Sequence, residues 1–203
     1  MMKNYYTLDL PTNPLRDKES TLLQIQSDNT SKPYVMQSKD ILDQYVVDKL
    51  EESGLEIDFV VVFKTNNKPG NIERRVVHSD ITWQDAWVKV PFGINWEIGS
   101  DVKAQFQWWD VPISSEKYPV GGTHMIGDFG KLSGIHYGGR IRLGEPLDSR
   151  MIDQVDTVVP LLVRTDIPHC VVYEGSNRIS ISVRFKQLLP WEEAVIKFKE
   201  LLI

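Results

Sequence analysis

The sequence predicts a mainly β protein with flanking helices (α+β), and three observations carry that prediction. The middle of the chain is a series of short runs rich in β-branched and aromatic residues; the runs are separated by Gly, Asn, Asp or Pro; and clear helical periodicity is confined to one stretch before the series and one after it. About eight strands in series, with helices packed outside them, are best satisfied by a double-sheet jelly roll or a small barrel. With 203 residues and 41% hydrophobic content, the chain is expected to form one domain over residues 1–203 with its own core.

From Ser38 to Gly54, "SKDILDQYVVDKLEESG" places Ile41, Leu42, Tyr45, Val46 and Leu50 at helical spacing, with Ser38 or Asp40 as the cap and Gly54 as the stop. The strand runs follow: "EIDFVVVF", "ERRVVHSD", "AWVKVPFGINWEI", "VKAQFQWWDV", "GRIRLG", "TVVPLLVR", "HCVVYE" and "RISISVRF". A segment at about 113–139 breaks the rhythm. Its "SSEKYPVGGTHMIGDFGKLSGIHYGG" holds seven of the thirteen glycines and has no period, so it reads as a Gly-rich insertion beside the strands, a lid or substrate loop if the protein is an enzyme. The chain closes on "LPWEEAVIKFKELLI", with Pro190 in a first-turn position and Trp191, Ala194, Val195, Phe198 and Leu202 on one helical face.

Composition excludes several classes of function. The net charge of −5 is spread along the chain and leaves no basic face for a phosphate backbone, so no nucleic acid partner is expected. Cys170 is the single cysteine, which rules out an internal disulfide or a CxxC zinc site and fits a reducing cytoplasm. Neither an export signal nor a membrane span is expected, because no apolar run approaches the length of either.

The chemistry starts at "VVHSDITWQD". Alternate side chains of a strand share a face, so His78 and Asp80 present an imidazole and a carboxylate side by side, about 6.5 Å apart at the backbone, and can chelate one ion. That three-residue pattern arises easily by chance and needs a partner. His169 supplies one. In "HCVVYEGSNRISISVRF", Gly175 and Ser176 suit a two-residue hairpin turn, which would pair Glu174 with Asn177, Tyr173 with Arg178, Val171 with Ser180 and His169 with Ser182. His169, Val171, Tyr173, Arg178, Ser180 and Ser182 would then share one face. On that ladder Arg178 lies about 13 Å from the partner of His169, a gap suited to a five-carbon dicarboxylate, with one end on a metal and the other on Arg178 and Ser180. Two histidines and a carboxylate with open positions opposite them are the facial arrangement of non-haem Fe(II) oxygenases.

The ordered set of "HSD", "FGINWEIGSDVKAQFQWWDVP" and "PLLVRTDIPHCVVYEGSNRISISVRF" resembles the 2-oxoglutarate and Fe(II)-dependent oxygenases, particularly small ones of marine bacteria and their phages, over roughly His78 to Phe185. The resemblance implies a double-stranded β-helix of the jelly-roll, cupin-like type. It implies that His78, Asp80 and His169 are catalytic as iron ligands, and that Arg178 and Ser180 hold the distal carboxylate of 2-oxoglutarate. In that family the co-substrate leaves as succinate and CO2, and the prime substrate, here an unidentified small molecule or peptide, is most commonly hydroxylated. Asn95 lies on a strand the family places near the metal and, with Tyr173, is a further candidate co-substrate contact. Two other readings use the same residues. One is a cupin-like protein that binds a small acid or sugar without turnover; the other is a metal-dependent isomerase or hydrolase that uses Zn or Mn on the same three ligands.

The remaining chemistry-bearing residues read as structural. His124 and His136 belong to the insertion and carry no pattern. Cys170 should point away from the face of His169 and pack in the core. Trp83, Trp87, Trp96, Trp108 and Trp109 are expected to fill the interior rather than stack on a ligand.

Overall fold

The structure, a computed structural model, describes residues 2–27, 33–65, 72–74, 77–83, 87–99, 103–110, 124–125, 131–132, 135–136, 139–144, 151–175 and 178–203. The chain opens with β1 (Tyr5–Thr7), α1 (Lys18–Ser27), β2 (Tyr34–Met36), α2 (Ser38–Ile41) and α3 (Gln44–Glu51). Then come β3 (Ile57–Thr65), β4 (Ile72–Arg74), β5 (Val77–Trp83), β6 (Trp87–Lys89), β7 (Phe92–Glu97) and β8 (Lys103–Trp109). Short strands β9 (His124–Met125), β10 (Lys131–Leu132) and β11 (Ile135–His136) fall within the Gly-rich segment, the rest of which lies outside the described residues, and β12 (Gly139–Gly144) leaves it. The chain ends with β13 (Met151–Asp156), β14 (Leu161–Arg164), β15 (His169–Glu174), β16 (Arg178–Phe185) and α4 (Trp191–Lys197).

Among the described residues the protein is mainly β, with two large antiparallel sheets. One has six strands in the order β1-β14-β7-β16-β3-β2; the other runs β13-β8-β15-β5-β12-β9, with β4 on β15 and β6 on β5. Alternation divides β16 and β7 of the first sheet between two environments. Ile179, Ile181, Val183 and Phe185 of β16, with Ile94 and Trp96 of β7, join the apolar cluster shared with the helices. Arg178, Ser180, Ser182 and Arg184 occupy the alternate positions of β16, turned toward the second sheet. The helices therefore cover one face of the six-stranded sheet and leave its polar face to the interior between the sheets.

The predicted helix over Ser38–Gly54 is two helices. Leu42 and Asp43 are extended, at ψ 145° and 141°, and Asp43, rather than Ser38 or Asp40, caps the second helix by accepting a hydrogen bond from the amide of Tyr45. The break lets Leu42 bridge to Leu15 while Ile41, Val46 and Leu50 stay buried; it also changes the phase, leaving Tyr45 exposed instead of on the apolar face. Gly54, at φ 78°, ends the helical region as expected. α4 ends at Lys197, with Trp191, Ala194 and Val195 buried on it and Phe198 buried at its cap. Leu202, predicted on the same helical face, is instead extended and bridges to Leu8. Trp191 Nε1 donates to the carbonyl of Lys3.

The predicted hairpin between β15 and β16 does not form. β15 lies between β8 and β5 in the eight-stranded sheet, and β16 lies between β3 and β7 in the six-stranded one. Tyr173 pairs with Ala104, not Arg178, and Ser182 pairs with Asn95 and Val61, not His169. Gly175, at φ 118°, begins a crossing from one sheet to the other; Ser176 and Asn177 lie outside the described residues. Alternation still turns His169 and Arg178 into the same interior, but from opposite walls.

Candidate metal centre

His78, Asp80 and His169 converge on the inner face of the eight-stranded sheet. His169 pairs directly with His78 across the β15–β5 ladder, and Asp80 follows His78 at the next same-face position. The backbone of Asp80 is pinned from both sides: its amide donates to the carbonyl of Thr165 and its carbonyl accepts from the amide of Val90. All three side chains are buried, and their ligand atoms lie within 4.8 Å of one another. Asp80 Oδ1 is 3.5 Å from His78 Nε2 and 3.8 Å from His169 Nε2.

The surroundings orient each donor. His169 Nδ1 is 2.9 Å from the carbonyl of Ile167; donation there fixes the tautomer that leaves Nε2 as a lone-pair donor toward the cluster. Its ring stacks against Phe106 at 4.9 Å and lies 4.4 Å from that of His78. Burial pushes the carboxyl of Asp80 up, but the Arg184 guanidinium, joined by a hydrogen bond and charge from His78 and charge from His169 when those rings are protonated, outweighs it and holds the group well below the usual carboxylate range. Asp80 is therefore ionised. Two neutral-capable imidazoles and one ionised carboxylate on a common point are a donor set that fits a divalent first-row metal.

Arg184 is one of two residues at the site that sequence reasoning missed. Its Nη2 donates to Asp80 Oδ2 at 2.6 Å, and its Nη1 to Thr165 Oγ1 and the carbonyl of Phe92, so it bridges the six-stranded sheet to the centre and leaves Asp80 Oδ1 toward the histidines. The signal was present in the alternation of β16, since Arg184 lies on the same face as Arg178, Ser180 and Ser182. Gly93 makes room for it. A Cβ there would sit 2.6 Å from Arg184 Nη1, so Gly93→Ala is expected to displace the guanidinium and cost about 1–3 kcal/mol, read as a lower urea midpoint with unchanged slope.

The second half of the site faces the centre across a cavity lined from both sheets. Arg178, Ser180 and Asn95 line it from the six-stranded sheet, with Val171 and Phe106 opposite. The Arg178 guanidinium lies 5.2 Å over the ring of Tyr173, which is buried. Asn95 Oδ1 accepts a 2.5 Å hydrogen bond from the Ser182 hydroxyl. Six of the seven predicted residues thus line this cavity, while Tyr173 lies outside its lining and reaches it only through Arg178; the pairing from which the 13 Å gap followed does not exist. Glu97, also missed, pairs in register with Ser180 and places a carboxylate 2.9 Å from Arg178 Nε.

Cys170 faces away from His169 and packs with Val77 and Trp109, as expected. Trp96, Trp108 and Trp109 are buried; the side chains of Trp83, Trp87, His124 and His136 lie outside the described residues. No helix among the described residues is long and apolar enough to cross a membrane. Comparisons with protein-family models, with curated proteins and with solved structures each return no match.

Proposed function

We propose that this chain is an Fe(II)- and 2-oxoglutarate-dependent dioxygenase on a double-stranded β-helix, hydroxylating a small molecule or peptide in the cytoplasm. The observation that supports this reading is the meeting, in one cavity, of a buried His-Asp-His cluster on one wall and a buried arginine and serine on the other. Two antiparallel sheets around that cavity agree with the fold. Oxygen is the oxidant; when bound, the ion would supply its activation and the co-substrate two of the electrons, leaving as succinate and CO2 with one oxygen atom while the other goes to the substrate.

The chain's own residues have distinct tasks. His78, Asp80 and His169 hold the ion from one side, which keeps positions for the co-substrate and oxygen. Arg184 keeps Asp80 ionised and fixes which oxygen faces the histidines. Arg178 receives the distal carboxylate in a charge-assisted contact, and Ser180, on the same face of β16, donates to it. Phe106 and Val171 exclude water between the two ends.

Anaerobic addition of Fe(II) and then 2-oxoglutarate to the purified protein is expected to produce a weak visible absorption band that neither reagent gives alone. Iron binding without such a band would overturn the co-substrate part and leave the metal centre.

A further inference from the structure

The contact between Arg178 and Glu97 is incomplete in a way that bears on what the cavity binds. Nε and Oε2 are 2.9 Å apart, with the side chains 8% and 6% exposed. The two groups are close but not aligned. Arg178 Nε and both carboxylate oxygens of Glu97 have no hydrogen-bond partner among the described residues. Buried polar atoms are nearly always satisfied, so three such atoms together on the wall of a cavity mark a place where a ligand completes the bonding.

We propose that Glu97 is a specificity-determining residue of the co-substrate site: its carboxylate and the distal carboxylate of an entering dicarboxylate contest the Arg178 guanidinium, and the dicarboxylate binds together with one proton, taken up by Glu97. This rests on the co-substrate reading above. The charges balance only in that form. One guanidinium between two carboxylates leaves a buried negative charge, whereas protonation of Glu97 restores neutrality and converts it from a competitor into a donor toward the incoming carboxylate.

The surroundings suit that exchange. Burial holds the carboxyl of Glu97 up at about 7, even though the charge of Arg178 and its imperfectly aligned hydrogen-bonding contact both lower it. On β16 the facing groups are Arg178 and, in register, Ser180; from the opposite sheet it is Tyr173, lying under the guanidinium. Asn95 is the next same-face residue of β7. Lys64 of β3 directs its ammonium to the carbonyls of Ile25 and Gln26 at the end of α1, and Arg184 is held by Asp80. Among the described residues, Arg178 is the cation recorded within ion-pair distance of Glu97. A 2-oxo acid with no second carboxylate, such as pyruvate, makes no claim on it.

The test is calorimetric, on Mn(II)-loaded protein, with 2-oxoglutarate and with pyruvate, in buffers of different ionisation heat. For the wild type, 2-oxoglutarate is expected to bind with uptake of close to one proton at pH 8 and to weaken about tenfold per pH unit above 7 relative to pyruvate. In Glu97→Gln the proton uptake and the relative pH dependence are expected to vanish, with 2-oxoglutarate bound about tenfold more tightly than by the wild type at pH 8 and pyruvate unchanged. Equal, proton-free binding of 2-oxoglutarate by the wild type overturns this inference and leaves the co-substrate reading standing. Binding of Mn(II) but not of 2-oxoglutarate to either form overturns both.

Discussion

Replacing His169 by alanine is expected to lower affinity for Mn(II), Co(II) or Fe(II) by more than roughly 100-fold, above the ~10–100-fold that loss of a supporting hydrogen bond costs. The substitution takes away one of three donors and the point at which the sheet defines the site, since His169 faces His78 across the ladder and places its Nε2 3.8 Å from Asp80 Oδ1. It also opens space beside Phe106, with which the ring stacks. Metal titration followed by calorimetry, with far-ultraviolet circular dichroism to check the fold, measures both consequences. Asp80 and His78 alone form a two-donor site on one strand. If the variant kept wild-type affinity with the fold intact, His169 would not be a ligand and the metal would have to lie elsewhere.

Arg184→Leu is expected to be the most destabilising single change in the site, at about 3–5 kcal/mol. The Asp80 carboxylate is buried and keeps its charge chiefly because Arg184 opposes the cost of that burial; without the guanidinium the buried anion loses its strongest compensation. Thr165 Oγ1 and the carbonyl of Phe92 lose a donor at the same time. Urea unfolding gives the size of the loss, and two companion measurements give its cause. A divalent ion should return more stability to Arg184→Leu than to the wild type, because the cation supplies the missing positive charge. Adding Asp80→Asn to Arg184→Leu should recover a large part of the loss, since the stranded charge is then gone. A loss within ~0.5 kcal/mol, as for a surface substitution, would show that Asp80 does not depend on this partner.

Much of this architecture was readable in advance, for reasons that differ from residue to residue. Period two states which face a side chain takes, so the shared face of His78 and Asp80, and of Arg178 and Ser180, followed from spacing; that His169 faces the same interior was read from a hairpin that does not form, and spacing left inward or outward open. Period does not state which strand lies alongside. "YEGSNR" looked like a tight turn because Gly175 permits it, yet the same glycine serves a crossing between sheets, and only long-range packing separates the two outcomes. The helix broken at Leu42 and Asp43 was hidden in the same manner: its apolar spacing is continuous, and the break follows from the contact of Leu42 with Leu15, 27 positions earlier. α1 escaped because its buried side is only Thr21 and Ile25, too sparse to register as a period. Arg184 and Glu97 were passed over because a charged residue on a strand is ordinarily solvated; here both lie inside, and each meets an opposite charge there.

The crossing at Gly175 has a mechanical consequence. Had His169 and Arg178 shared a hairpin, the span between metal and anchor would be quantised in strand steps of about 3.3 Å and fixed by hydrogen bonds. Across two sheets it is a thickness instead, set by the side chains that hold the walls apart and adjustable in fractions of an ångström by swapping one apolar residue for another. Under the proposed function, the length of acid that fits would be set by wall residues such as Phe63 and Val171, without altering a ligand or the anchor itself.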